Sequence, residues 1–339
     1  MRRYRRRHKR RKYNLIFTIL ILLIFCLTIG YSAFSTNINL TAKGNIKDKS
    51  RVIQSWNKNS NEDFHTDFYK EIIVSATFLD SATVPSNAIA SWDVSETKDK
   101  CVMAYVTEST TETGKYDLYI GAKNGVTANP DSSYLFYQFV GMKDINFNDN
   151  FDTSNTVNMA YMFGTEYEQT MNITKINFGN SFITSNVTNM YAMFFNNASL
   201  EELDVSCFDT SNVTTFERTF HGCSNVKILD ISNFNMSKVT TIMDMFNGCR
   251  KLTELNVSKW DTSNIKNFGY SFANLYNVEE LNLCSFNTRQ ATYMAGMFSN
   301  SYNLKKIYVG SNWNTVNVDV GNMFIWAGVS SVTTGQCNN

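Results

Sequence analysis

The side chains that most often carry chemistry are scattered in this chain. Its three histidines, His8, His65 and His221, lie far apart. Seven cysteines are present, at 26, 101, 207, 223, 249, 284 and 337, and none forms a C-x-x-C pair, so a zinc site has no support. No G-x-S-x-G, H-E-x-x-H, P-loop or G-x-G-x-x-G string occurs. An enzyme is therefore not expected, and no cofactor or metal is implied; the enzyme rival would place an unrecognised site within residues 51–133. What does recur is Asp-Thr-Ser-Asn, at 152–155, 209–212 and 261–264. Side-chain oxygens at such positions cap helices and close turns, which explains the string without a ligand.

Two polar columns recur with it. One is Asp204, Asp230, Asn256, Asn282, Tyr308, and its neighbour is Glu202, Ile228, Glu254, Glu280, Lys306. Each flanks an apolar alternation of the Leu203-x-Val205 type, which points Leu and Val to one face of a strand and the polar residues to the other. Stacked acids of this kind can bind cations or basic partners, and a solenoid's concave face is a usual recognition surface. The candidate binding set is Glu202, Asp204, Asp230, Glu254, Asn256, Glu280, Asn282 and Tyr308; the alternative is a solvated acidic face that keeps the protein soluble.

A fixed period must position these columns. Aromatic anchors at Phe151, Phe182, Phe208, Phe234, Trp260, Phe286 and Trp313 are spaced 31, 26, 26, 26, 26 and 27 residues apart. A second series, Phe163, Phe194, Phe220, Phe246, Phe272, Phe298 and Phe324, keeps step with it. Such a period is the signature of a solenoid. Within a unit, Val213, Phe216 and Phe220 fall at i, i+3 and i+7, the spacing of one helical face. Gly222 and Gly248 suit a helix exit. The expected fold is an α/β repeat solenoid, leucine-rich-repeat-like, with a short strand and a short helix per coil. The 31-residue step holds an insertion near 164–170, a loop open to surface variation. Cys223 and Cys249 share a repeat position, either as buried apolar fillers or as a disulfide between adjacent coils.

Residues 1–12 hold nine of the 31 Lys and Arg and no acid; the rest has 22 basic against 30 acidic residues. This basic tip precedes an apolar run, so it reads as the cytoplasmic flank of a membrane segment at 13–34 and not as a nucleic-acid site. The segment is either a retained transmembrane anchor or a signal peptide cut near Ala33-Phe34-Ser35. Residues 35–50 read as a linker. Residues 51–133 read as a small β-rich cap, with strands in 71–79 (where a helix is not excluded), 101–106 and 116–120 and a hairpin signal at Asn124-Gly125. The solenoid spans 134–328, and 329–339 form a tail.

The strings Phe151-Asp-Thr-Ser-Asn, Asn186-Val-Thr-Asn-Met-Tyr-Ala-Met-Phe194 and Leu203-Asp-Val-Ser resemble the BspA-like leucine-rich-repeat surface proteins of bacteria. Ser91-Trp-Asp-Val-Ser and Asn129-Pro-Asp-Ser-Ser-Tyr-Leu-Phe136 are similar to what precedes the repeats there, and the resemblance covers about residues 91–328. It implies an exported, cell-associated protein that binds host or neighbouring-cell macromolecules, single-pass in the membrane with its repeats outside, or secreted if the leader is cut. The structural rival is a spacer or envelope scaffold without external ligand. With Pro only at 85 and 130 no L-P-x-T-G-type sorting motif occurs, which leaves residues 13–34 as the expected anchor.

Overall fold

The computed structural model describes residues 51–337. The basic tip, the membrane segment at 13–34 and the linker at 35–50 lie outside the described residues. Among the described residues no helix is long and apolar enough to cross a membrane.

After a 3-10 turn at Asp63–His65, the apolar stretch with ambiguous period splits in two: a six-residue helix α1 (Asp67–Ile72) passes directly into β1 (Ile73–Leu79). Thr66 caps α1 by accepting the Tyr69 amide at 3.4 Å, and β-branched Ile73 and Val74 favour the extended chain that follows. Then come β2 (Ala90–Asp93), β3 (Val102–Glu108) and β4 (Tyr116–Ala122), antiparallel neighbours in sequence. β1 pairs in parallel with β4 on one side and with β6 (Asp144–Asn146) on the other, and β6 pairs with β8 (Lys175–Asn177). One six-stranded sheet, in the order β2-β3-β4-β1-β6-β8, thus runs from the cap into the first coils.

Asn124 and Gly125 take the expected positive φ, 63° and 86°. The turn does not make a hairpin. β5 (Val126–Thr127) pairs in parallel with β7 (Phe151–Asp152) of the first coil, because the turn delivers the chain to the stack instead of back along β4.

The expected short helix in each coil is absent, so the array is not the α/β solenoid read from the sequence; α1 is the one α-helix among the described residues. The reason is backbone handedness. Tyr134, Tyr161, Ala192, Arg218, Asp244, Tyr270, Gly296 and Asn322 occupy one repeat position and all have φ between 53° and 61°. A second left-handed position follows at Gln138, Asn196, Gly222, Gly248, Asn274, Asn300 and Trp326. A left-handed residue every fourth position cannot sit in a right-handed helix. The amides turn to the next coil instead: Phe216, Arg218, Phe220 and Gly222 donate to the carbonyls of Thr241, Met243, Met245 and Asn247 at 3.2, 2.9, 3.0 and 2.8 Å. The intervening amides of Thr219, His221 and Cys223 close tight turns onto Phe216, Arg218 and Phe220. The i, i+3, i+7 spacing therefore marks the inward face of a turned ribbon. Gly222 is fixed twice over, by φ 73° and because a Cβ there would lie 2.2 Å from Asn196 Oδ1.

This ribbon makes a prediction that separates it from a helix. Gln138, at φ 62°, makes no side-chain hydrogen bond. Gln138→Gly should leave stability unchanged or raise it by up to about 1 kcal/mol, since a side chain in left-handed backbone costs roughly 1–2 kcal/mol. In a helix the same change would lose about 1 kcal/mol. The urea midpoint distinguishes the two signs.

The strand half is only partly regular. Continuous ladders form at β6–β8 and again between β9 (Glu280–Leu283), β10 (Lys306–Val309) and β11 (Thr333–Thr334). Between them the strand half of the described coils carries one bridge, Glu202 to Ile228, although Leu203, Val205, Leu229, Ile231, Leu255 and Val257 are all buried.

Each residue of Asp-Thr-Ser-Asn has its own bond to make. Asp209 and Asp261 accept the amides of Ser211 and Ser263 at 2.9 and 3.0 Å, closing a corner of the coil. The Thr is buried and reaches forward: Thr262 Oγ1 donates to the Asn287 carbonyl at 3.1 Å and accepts the Asn287 amide at 2.8 Å. The Asn reaches back, Asn212 Nδ2 to the Ser185 carbonyl and Asn264 Nδ2 to the Ser237 carbonyl, both at 2.7 Å. The capping expected of this string is therefore corner and coil-to-coil bonding. Thr262→Val keeps the shape and orphans both Asn287 groups; it should cost about 2–4 kcal/mol, read from urea unfolding, at roughly 1–3 kcal/mol per unsatisfied buried group.

One apolar core extends from Ile53 to Met323. Along it Phe163, Phe194, Phe220, Phe246, Phe272, Phe298 and Phe324 stack ring on ring, with successive centroids 5.4, 5.7, 5.9, 5.9, 6.0 and 5.5 Å apart. Cys223 and Cys249 are buried free thiols whose sulfurs point to the carbonyls of Phe194 and Phe220, and burial pushes the Cys223 thiol up to about 12. The disulfide joins Cys284 to Cys337 instead, fixing β11 and the tail to the last coils.

Candidate binding surfaces

The insertion at 164–170 folds back onto the ribbon face and gathers a cluster that the sequence did not announce. Asn196 holds its backbone, donating from Nδ2 to the carbonyls of Glu166 at 2.9 Å and Gln169 at 3.1 Å. Glu166 accepts the Tyr137 hydroxyl at 2.9 Å and pairs with Lys58 of the cap at 2.8 Å. The bonds from Lys58 and Tyr137 hold the Glu166 carboxyl below its ordinary range, so it is ionised at neutral pH. The next residue, Tyr167, stands 62% exposed, its ring edge-on to Phe195 at 4.9 Å.

Arg218 completes the cluster. Its guanidinium lies 5.6 Å from the Tyr167 ring centre and 6.0 Å from that of Tyr191, donates to the Tyr191 hydroxyl at 2.7 Å and pairs with Asp244 at 3.4 Å. Asn247 Nδ2 fixes the other Asp244 oxygen at 2.7 Å. The left-handed backbone at Arg218 and Asp244 sets both side chains side by side on adjacent coils. His221 stacks on Phe195 at 4.8 Å, and burial holds it below its ordinary pKa against the pull of Asp244. At 3.9 Å the His221–Asp244 contact is longer than a hydrogen bond, so it does not form the base–orienter pair of nucleophilic catalysis. A guanidinium held between two tyrosine rings is a recognition arrangement: aromatic and Arg side chains give large contact area for little lost freedom. Tyr134 continues the surface, stacked on Tyr161 at 5.5 Å. The available sequence signal was the insertion itself, between Tyr161 and Tyr191.

The eight residues singled out from the sequence fall on the opposite, strand-bearing side of the coil. Glu254, Asn256, Glu280, Asn282 and Tyr308 line one shallow groove of about 770 Å³, with Glu279 beside them. Glu202, Asp204 and Asp230 are exposed but lie outside that groove. One column has a local role. Asp204, Asp230, Asn256 and Asn282 each accept the backbone amide two residues on, at 2.9, 3.0, 3.3 and 3.1 Å, which closes another corner of the coil. The bonds from Ser206 and Ser232 hold the Asp204 and Asp230 carboxyls below their ordinary range. Glu254 has no such turn bond, and Glu280 meets the Tyr308 hydroxyl at 3.5 Å while Lys306 lies 5.9 Å from that ring. Among the described residues no group of three or more His, Cys, Asp or Glu could hold a metal ion.

A family model described as "Mycoplasma protein of unknown function, DUF285" matches residues 131–227 and again 214–333, which together cover the stacked coils and not the cap. No curated protein and no solved structure matches the chain.

Proposed function

We propose, for a chain that belongs to the DUF285 family of Mycoplasma proteins of unknown function, that the coil stack is a recognition module shown at the cell surface, with the Tyr167–Arg218–Tyr191 cluster as its contact site. The single observation that carries this reading is that cluster: an exposed ring on the insertion, Tyr167, set against a charged fork on the coil, Arg218. The groove of Glu254, Glu280 and Tyr308 is a second surface on the same stack. The Cys284–Cys337 disulfide supports export, since such bonds persist in oxidising compartments. So does the basic tip before an apolar run, with residues 13–34 as anchor or leader. The finer kinship, to BspA-like surface proteins, rests on the repeat strings. The ligand class is protein or glycan on host or neighbouring cells. The module is not an enzyme in this reading and takes neither cofactor nor nucleic acid.

The test is binding of the purified full chain to cells, matrix proteins and glycan arrays. Tyr167→Ala should lower that binding about tenfold or more with stability unchanged within roughly 0.5 kcal/mol. Glu254→Lys with Glu280→Lys reports on the groove. A chain that binds nothing above background sinks the recognition reading and leaves the scaffold.

A further inference from the structure

Alternate amides of each ribbon donate forward, while one amide ahead of them, at Thr214, Thr240, Lys266 or Thr292, donates back to the preceding coil. In each coil, amides at every second ribbon residue donate to carbonyls of the next coil. Met294, Gly296, Phe298 and Asn300 make the last such set, to Asp319, Gly321, Met323 and Ile325 at 2.7, 2.9, 2.9 and 2.9 Å. The equivalent amides of the final coil, Val320, Asn322, Phe324 and Trp326, have no acceptor among the described residues. The carbonyls of Val320, Asn322 and Phe324 are taken up locally by Met323, Ile325 and Ala327. The end of the stack therefore presents a row of four donors with no acceptor between them. Aligned peptide dipoles leave the donor end positive, by the argument that applies to helix termini.

Apolar surface lies at the same end. Trp326 and Val316 are 70% and 71% exposed, and a groove of about 290 Å³ runs between Trp313, Val320, Phe324 and Val332. The strand half of this end, by contrast, is finished: β11 covers β10, and Cys337 is tied to Cys284.

We propose that this end is a docking site for a repeat coil of a different polypeptide, whose rear edge supplies the missing row of carbonyls. The occupant follows from polarity. Each coil's rear edge offers four alternate acceptors, as at Asn267, Gly269, Ser271 and Ala273, preceded by one donor at Lys266, so a coil of this type is the complement of four bare donors. A second copy meeting end to end would set donors against donors. A second copy meeting head to tail is blocked, because the cap covers that end: β1 pairs with β6, and Phe64 and His65 lie on Phe139 at 6.0 and 5.2 Å.

The probe is a synthetic peptide of residues 263–277, which carries those four acceptors, added to the full chain with hydrogen exchange read residue by residue. The expected result is fast exchange at Val320, Asn322, Phe324 and Trp326 in the free chain, slowed tenfold or more in a saturable way by the peptide. Val320→Pro, which removes one donor at a position outside the left-handed set, should reduce the slowing at the other three while exchange upstream of residue 300 stays as it was. Trp326→Ser, which leaves every amide in place, should weaken it. The proposal is overturned if the four amides are already as slow as Met294 to Asn300 in the free chain, or if excess peptide leaves them unchanged. It is equally overturned if a scrambled peptide or inorganic phosphate alone protects them as well, the latter marking a simple anion site.

Discussion

Phe246→Ala is expected to lower the stability of the array by about 3–5 kcal/mol, the range for truncating a buried aromatic ring. The ring is fully buried, stacked at 5.9 Å on both Phe220 and Phe272, and 6.1 Å from Trp260. Its loss opens a cavity between three coils. The backbone around it cannot collapse, because the Phe246 amide is bonded to Ser271 and the flanking amides to Gly269 and Ala273. Trp260 reports the transition directly by its fluorescence in urea. Since each coil contacts only its neighbours, the lost energy sits at one interface, and the transition should broaden or split as the two halves uncouple. A loss below about 1 kcal/mol with an unchanged transition would mean that the stacked ring series does not carry the core.

The second large effect concerns the last coils. Reduction of Cys284–Cys337, or Cys284→Ser, should cost about 4 kcal/mol, the chain-entropy value for closing a loop of this size; the two cysteines are 53 residues apart. The loss should be local first, since β11 is held by two register pairs to β10 and by this bond. Thermal unfolding with and without reductant measures it. Alkylation of the unreduced native protein supplies the control: exposed Cys207 should react, while buried Cys223 and Cys249 and the bonded pair should not. Labelling of Cys284 or Cys337 without reductant, or an unfolding curve indifferent to reductant, would contradict the tether.

Much of this protein is a consequence of period alone. The two aromatic series state that equivalent residues stack, because a chain that repeats its apolar residues at a fixed step can bury them only against its own neighbouring copies. The alternation at Leu203 and Val205 likewise fixes which side chains face in. The polar residues of Asp-Thr-Ser-Asn declare a turn, since their short oxygens compete with the backbone for amides.

The path of the other half of each coil was decided only by tertiary structure. Val213, Phe216 and Phe220 carry helical spacing, yet the amides between them find acceptors one coil away, at a distance in sequence that no local pattern encodes. Left-handed backbone at Arg218 is unfavourable in isolation and persists because the neighbouring coil over-determines it. The same holds for the cluster at Tyr167: its members come from residues 58, 137, 166, 167, 191, 218 and 244, and only the stacking of coils brings them within bonding distance. Polarity of the final edge is likewise a property of the assembled stack. Any one coil has a row of alternate donors on one side and a row of alternate acceptors on the other, and only their addition in a single direction leaves four amides with nothing to meet.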